Sequence, residues 1–156
     1  MFDIFGPVKF ASKAGRKLKG IIFKGRKGKE ALEKEVSDMG LDANGVDIYV
    51  DDDGKVSVKG KAVSQEMKEK IILAMGNVNG IGEIDVNLDA DGGGAVSDFH
   101  EVVSGDTLWA VSKTYYGKGS RYMEIFEANK PMLSHPDRIY VGQMLRIPKD
   151  APSASV

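Results

Sequence analysis

Residues 64–88, SQEMKEKIILAMGNVNGIGEIDVNL, constrain the fold more than any other stretch. Met67, Ile71, Ala74 and Met75 recur at helical spacing and predict a helix over 65–75 with one buried stripe. Ser64 stands at its cap position, and Glu66 lies in the first turn near the positive end of the helix dipole. Ile84, Val86 and Leu88 then alternate at strand spacing. The chain must therefore pass from helix to strand within a few residues. Those residues hold Gly76, Gly80 and Gly82 with Asn77 and Asn79 between them. One glycine suffices to stop a helix, so this composition predicts a turn in which the backbone is redirected more than once.

Upstream, VDIYV (46–50) and KVSVK (55–59) alternate apolar and polar residues around DDDG, which reads as a hairpin. Leu32, Val36 and Met39 place a helix over 30–39, and Gly40 follows as its stop. GRKGK at 25–29 reads as a flexible joint. Residues 7–23 carry helical potential, with Pro7 suited to a first helical position and Gly15 and Gly20 weakening the run. The order helix–strand–strand–helix–strand makes a small α+β unit. DADGGGAVSD (89–98) breaks every period and reads as a linker. Beyond it lie a strand at 99–103, a helix opening at SGDTLW with Asp106 or Thr107 as cap, a short helix at 121–129 and a strand at 143–147. The expected organisation is a basic segment (1–27) packed on a first domain (28–89), a linker (90–97), a second domain (98–149) and a loose tail (150–156).

The second unit resembles a LysM domain. The resemblance is carried by Val102, Ser104-Gly105-Asp106-Thr107-Leu108-Trp109, Ile125, Asn129, Gly142-Gln143, Leu145, Ile147 and Pro148. It implies a strand–helix–helix–strand fold. The first unit is similar to BON domains in its hairpin, the Ser64 helix and the GNVNGIGEI turn. Together the two resemble the small bacterial BON–LysM potassium-binding proteins. The fold class expected is thus α+β in two small domains.

That resemblance implies a site for K+, with larger monovalent cations also admitted and no organic cofactor. It places ligand carbonyls on Gly76, Val78 and Ile81 of the turn and on Ala11, Ser12 and Ala14 of ASKAGRKL (11–18), where the register at the N-terminal end is open. Physically the match is reasonable. Terminal helix carbonyls lack intrahelical partners and carry the negative end of the dipole. Neutral carbonyl cages suit a weakly hydrated monovalent cation. A divalent ion recruits carboxylates, and 76–82 contains none. A tight helix-to-strand turn needs glycine for geometry alone, so the turn by itself does not demand an ion. The LysM resemblance implies a second possibility: binding of N-acetylglucosamine glycans such as peptidoglycan, in a groove at Gly105, Asp106, Thr107, Leu108, Ile139 and Tyr140. The alternative function would be a glycan-binding envelope protein with BON near a membrane.

Charge and composition limit the remaining classes. Residues 1–29 hold nine Lys/Arg and one acid, Asp3, on an otherwise acidic chain. This basic arm could fold back on the acidic body or touch an anionic surface. Gly15, Gly20 and Gly25 weaken a free amphipathic helix, which favours packing over membrane binding. The acidic remainder argues against nucleic acid. With no cysteine, disulfides and thiolate chemistry are excluded. The start is a poor signal peptide, and no run reaches the ~20 apolar residues of a membrane span, so a cytoplasmic address is expected. Asp51-Asp52-Asp53-Gly54 lacks the later acidic ligand of a calcium loop. His100 and His135 have no metal-ligand spacing, and capping explains Ser104 and Asp106 without a hydrolytic trio with His100. Trp109 fits a packing position. No enzyme is expected. The partners expected are the ion and, through LysM, another protein, with the chain a monomer.

Overall fold

The computed structural model describes residues 4–11 and 24–149. The first sheet contains β1 (Gly6–Lys9), β2 (Val46–Val50), β3 (Val56–Ala62) and β4 (Glu83–Ala90), in the order β1-β4-β3-β2. The pairs β2–β3 and β1–β4 are antiparallel, and β3–β4 is parallel. That parallel pair requires a crossover, which is helix α2 (Gln65–Gly76). Helix α1 (Gly25–Asp38) packs beside α2 and against β2. The second unit is β5 (Asp98–Glu101), α3 (Leu108–Tyr116), α4 (Tyr122–Ala128) and β6 (Met144–Ile147), with β5 and β6 antiparallel. A single turn of 3₁₀ helix, Gly119–Arg121, precedes α4. This is the α+β architecture of two small units expected from the sequence.

Two expectations are corrected. Gly6–Lys9 is not helical: it is an edge strand, with Pro7 opposite Asp85 and Val8 opposite Ile84. Proline is compatible with an edge strand because its missing N–H can face outward. The remainder of the helix expected over 7–23 lies largely outside the described residues, as does the tail from 150. The joint expected at 25–29 is instead the first turn of α1, anchored by the Gly25 N–H donating to Asp51 O at 2.8 Å.

The centre of the molecule is α2. Ile71, Ile72, Leu73, Ala74, Met75 and Gly76 are all buried, which one stripe does not explain. Helix α2 contacts β3 and β4 on one side and β6 of the second unit on the other. A helix buried on both flanks is apolar around its circumference, and the run IILAM is just that. Phe99, Met132 and Met144 of the second unit pack onto the first unit's core. A separate small core of Val102, Leu108, Val111, Ile125, Leu133, Leu145 and Ile147 holds the second unit together.

Across this contact runs one buried ion pair. Glu69 on α2 is wholly buried and Arg146 on β6 is 5% exposed, with Arg146 Nε 3.0 Å from Glu69 Oε1. Every face of the pair is hydrogen-bonded. Glu69 Oε2 accepts from Gln65 Nε2 and from the Ser97 main-chain N–H, while Arg146 also donates to Ala128 O and Ser97 Oγ. Such satisfaction is what burial of charge demands.

Candidate functional site

The glycine-rich turn begins where α2 tightens. Asn77 N–H donates to Leu73 O four residues back, and Val78 N–H donates to Met75 O three residues back, one residue tighter. Val78 to Ile81 then forms a reverse turn closed by Ile81 N–H to Val78 O at 3.1 Å. Gly80, third in that turn, has φ 103°, a conformation glycine adopts without penalty. Of the three glycines only Gly80 has a positive φ, and no asparagine does. The redirection expected of this turn therefore uses a positive φ at one position.

Gly76 has another reason. It is helical, and a Cβ built there would lie 2.1 Å from Cε1 and Cζ of Phe10. The Phe10 ring occupies the space that a side chain would need. Phe10 N–H donates to Gly82 O at 2.9 Å, extending the β1–β4 ladder up to the turn. Gly82 is thus a docking point for the N-terminal segment. Phe5, on the same segment, covers the buried ammonium of Lys68 at 3.6 Å from the ring centre.

The six residues matched to ion-ligand positions divide as follows. Gly76, Val78 and Ile81 lie together in the turn, and Ala11 follows Phe10 directly at its edge. Ser12 and Ala14 lie outside the described residues. Val78 O accepts the Ile81 N–H, one of the two hydrogen bonds a carbonyl oxygen can accept. Gly76 O and Ile81 O accept no hydrogen bond among the described residues. Neutral oxygens with spare acceptor capacity fit a monovalent cation. No group of three or more His, Cys, Asp and Glu side chains able to hold a metal exists among the described residues.

In the sequence Asn77 signals only a turn former. Its side chain does more: Nδ2 donates to Met144 O and Oδ1 accepts from Met144 N–H, both at 2.9 Å. Nothing local could signal this, because the partner lies 67 positions away on β6.

The residues matched to a glycan groove do not remain together as one free surface. Gly105, Asp106 and Thr107 form the loop into α3, which Leu108 opens; Thr107 is the cap, its Oγ1 accepting from Ala110 N–H at 3.1 Å. Leu108 is buried, and Ile139 packs on the small core. Tyr140 is turned toward the first unit. It lines a 220 Å³ cavity with Glu35, Met39, Ala74 and Asn77, and its hydroxyl lies 3.5 Å from Asn77 O. Trp109 is 55% exposed, with its indole against Gly119 and near Tyr122.

Asp106 does not cap the helix. Its Oδ2 accepts the Val103 N–H at 2.9 Å and contacts His100 Nε2 at 2.8 Å, while His100 Nδ1 meets Tyr115 OH at 3.1 Å. The Val103 amide, and after it His100, holds the Asp106 carboxyl below the usual carboxylate range. Partial burial first, then Asp98 and Asp106, pushes the Tyr115 phenol up. The Asp106 carboxylate can only accept, so the His100 Nε2 donates to it. Because the Asp106 pKa is depressed on folding, its stabilisation is complete above the unfolded value, about pH 4, and is lost as pH falls through the folded value. Asp106→Asn is expected to lower the melting temperature at neutral pH and to shrink the further drop on acidification below about pH 4. Thermal melts across that range check both.

The fold and turn define a two-domain protein in which a BON unit, its helix–turn–strand lined by an N-terminal strand, docks on a LysM unit. Models of the BON domain and the LysM domain match residues 27–92 and 100–148 respectively. The chain is 44% identical over 150 residues to the potassium binding protein Kbp of Escherichia coli O6:H1 (strain CFT073), covering 93% of this chain and 99% of that protein. The chain belongs to the Kbp family of BON–LysM proteins.

Proposed function

We propose that this protein binds K+ through main-chain oxygens gathered between the N-terminal segment and the turn 76–82. The observation that carries the reading is the clasp of Phe10 on Gly76 and Gly82, which brings residue 11 to the edge of a turn whose Gly76 and Ile81 oxygens accept no hydrogen bond among the described residues. The name of the similar protein supports the choice of ion. Ala11, Ser12 and Ala14 supply the ligands on one side, and Gly76, Val78 and Ile81 on the other. The ion replaces water around these dipoles and needs no charged side chain.

A cation shared by two chain segments also orders the weaker one. If it binds only the folded form, the stabilisation is ~2.7 kcal/mol at a hundredfold excess over the dissociation constant. The segment after Phe10 then closes on the BON unit and the chain compacts. The role is to sense or buffer potassium in the cytoplasm, not to catalyse a reaction.

Calorimetry with potassium, sodium and magnesium chlorides is the test. Saturable heat with potassium, weaker heat with sodium and none with magnesium is expected. Small-angle scattering should show a smaller radius of gyration at saturating potassium. Equal response to all three salts, or to none, removes the reading.

A further inference from the structure

We infer that Asn77 is a positioning residue through which the LysM unit sets the geometry of the ion-binding turn, so that docking of LysM and binding of the ion strengthen one another. The inference rests on the proposed function and adds a residue that supplies no ligand. Asn77 stands between Gly76 and Val78, both candidate ligands. Its main chain is the hinge of the turn, with φ −83° and ψ 11° at the helix end. Its side chain takes both main-chain groups of Met144. Met144 faces Glu101 across the β5–β6 ladder, yet its N–H and C=O go to Asn77 on the other edge. The amide therefore acts as a one-residue strand partner. Two hydrogen bonds in one plane fix the amide's rotation as well as its position.

The consequence follows from chain connectivity. A side chain held at both ends of its amide cannot swing without moving its own Cα; the Gly76–Asn77 peptide carries the Gly76 carbonyl, and the Asn77–Val78 peptide sets the direction of the chain into Val78, whose carbonyl is the next candidate. When β6 is docked, the angles of those dipoles are restricted. When it is not, they sample more directions, and the ion must then do the ordering itself. Equilibrium coupling is reciprocal: whatever factor docking adds to ion affinity, the ion adds to docking. Tyr140, with its hydroxyl 3.5 Å from Asn77 O, crowds the same peptide from the LysM side.

The test uses the full chain with potassium chloride as the probe, reading ion affinity by calorimetry and the exchange rate of the Met144 amide by mass spectrometry or NMR. In the unaltered chain, saturating potassium is expected to slow Met144 exchange. In Asn77→Ala, potassium affinity is expected to fall about tenfold, and the ion should no longer change Met144 exchange. A purely structural Asn77 would lower stability but leave ion affinity within twofold, and that result overturns the inference. Should Asn77→Ala fail to fold, the unaltered chain decides alone: Met144 exchange indifferent to bound potassium overturns the coupling. Failure of the unaltered chain to bind potassium is a different result, which removes the proposed function and the coupling together.

Discussion

Arg146→Met is expected to destabilise the protein by about 3–5 kcal/mol, the cost of leaving a buried carboxylate without its cation. Glu69 is wholly buried on α2, and Arg146 Nε is its one cationic contact, at 3.0 Å, among the described residues. Removing the guanidinium strands that charge and also removes donors to Ala128 O and Ser97 Oγ. The remaining donors to Glu69, Gln65 Nε2 and the Ser97 N–H, are dipoles and offset only part of the charge. The companion Glu69→Met/Arg146→Met is expected to recover most of the loss, since apolar replacement of a whole buried pair is often neutral or better. Urea denaturation at fixed potassium concentration measures both, because bound ion would otherwise shift the midpoint. A single-variant loss under about 1 kcal/mol would mean that the pair behaves as a surface one.

Gly76→Ala sets two effects of opposite sign against each other. Gly76 closes α2, and alanine there improves helix propensity by up to about 1 kcal/mol. Yet its Cβ would meet Phe10 ring carbons at 2.1 Å, which no rotamer adjustment of a few tenths of an ångström relieves. The ring must leave. Its burial is worth roughly 1.5–3 kcal/mol, and the Phe10–Gly82 hydrogen bond that carries the N-terminal segment to the turn is loosened with it. Potassium affinity is therefore expected to fall by roughly tenfold or more, with faster amide exchange at Gly6 and at residues 8–10, Pro7 having no amide hydrogen to exchange. Phe10→Ala supplies the control. If the clash is the cause, adding Gly76→Ala to Phe10→Ala costs far less than adding it to the unaltered chain, as a double-mutant cycle on calorimetric affinities would reveal. Additive losses would assign the effect to the turn itself.

Much of the fold was legible locally. Alternation at Val46, Ile48 and Val50, at Val56 and Val58, and at Ile84, Val86 and Leu88 corresponds to strands β2, β3 and β4. Ser64 caps α2, with its Oγ accepting the Met67 N–H at 3.0 Å. These features depend on neighbours within a few residues, where period and capping chemistry act. β1 was not legible, because Pro7 fits a helix start as well as an edge strand. The choice was made by the open edge of β4. The first turn of α1 was hidden for a similar reason: Gly25 and Gly28 argue against a helix, and the Asp51 carbonyl that anchors Gly25 is distant in sequence.

The candidate site shows the same division. GNVNGIG by itself determined that α2 ends in a redirected turn free of carboxylates, because glycine holds a φ such as the 103° of Gly80 without penalty. The run IILAM determined that this helix would be buried. Which surfaces would bury it, and so why Gly76 must lack a side chain and where the Asn77 amide finds its partner, only the tertiary structure decided. Phe10 and Met144 reach the turn from positions 66 residues before Gly76 and 67 after Asn77. Contacts at that separation leave no periodic trace in a sequence, since the residues that meet are selected by how the strands and helices pack and not by spacing along the chain.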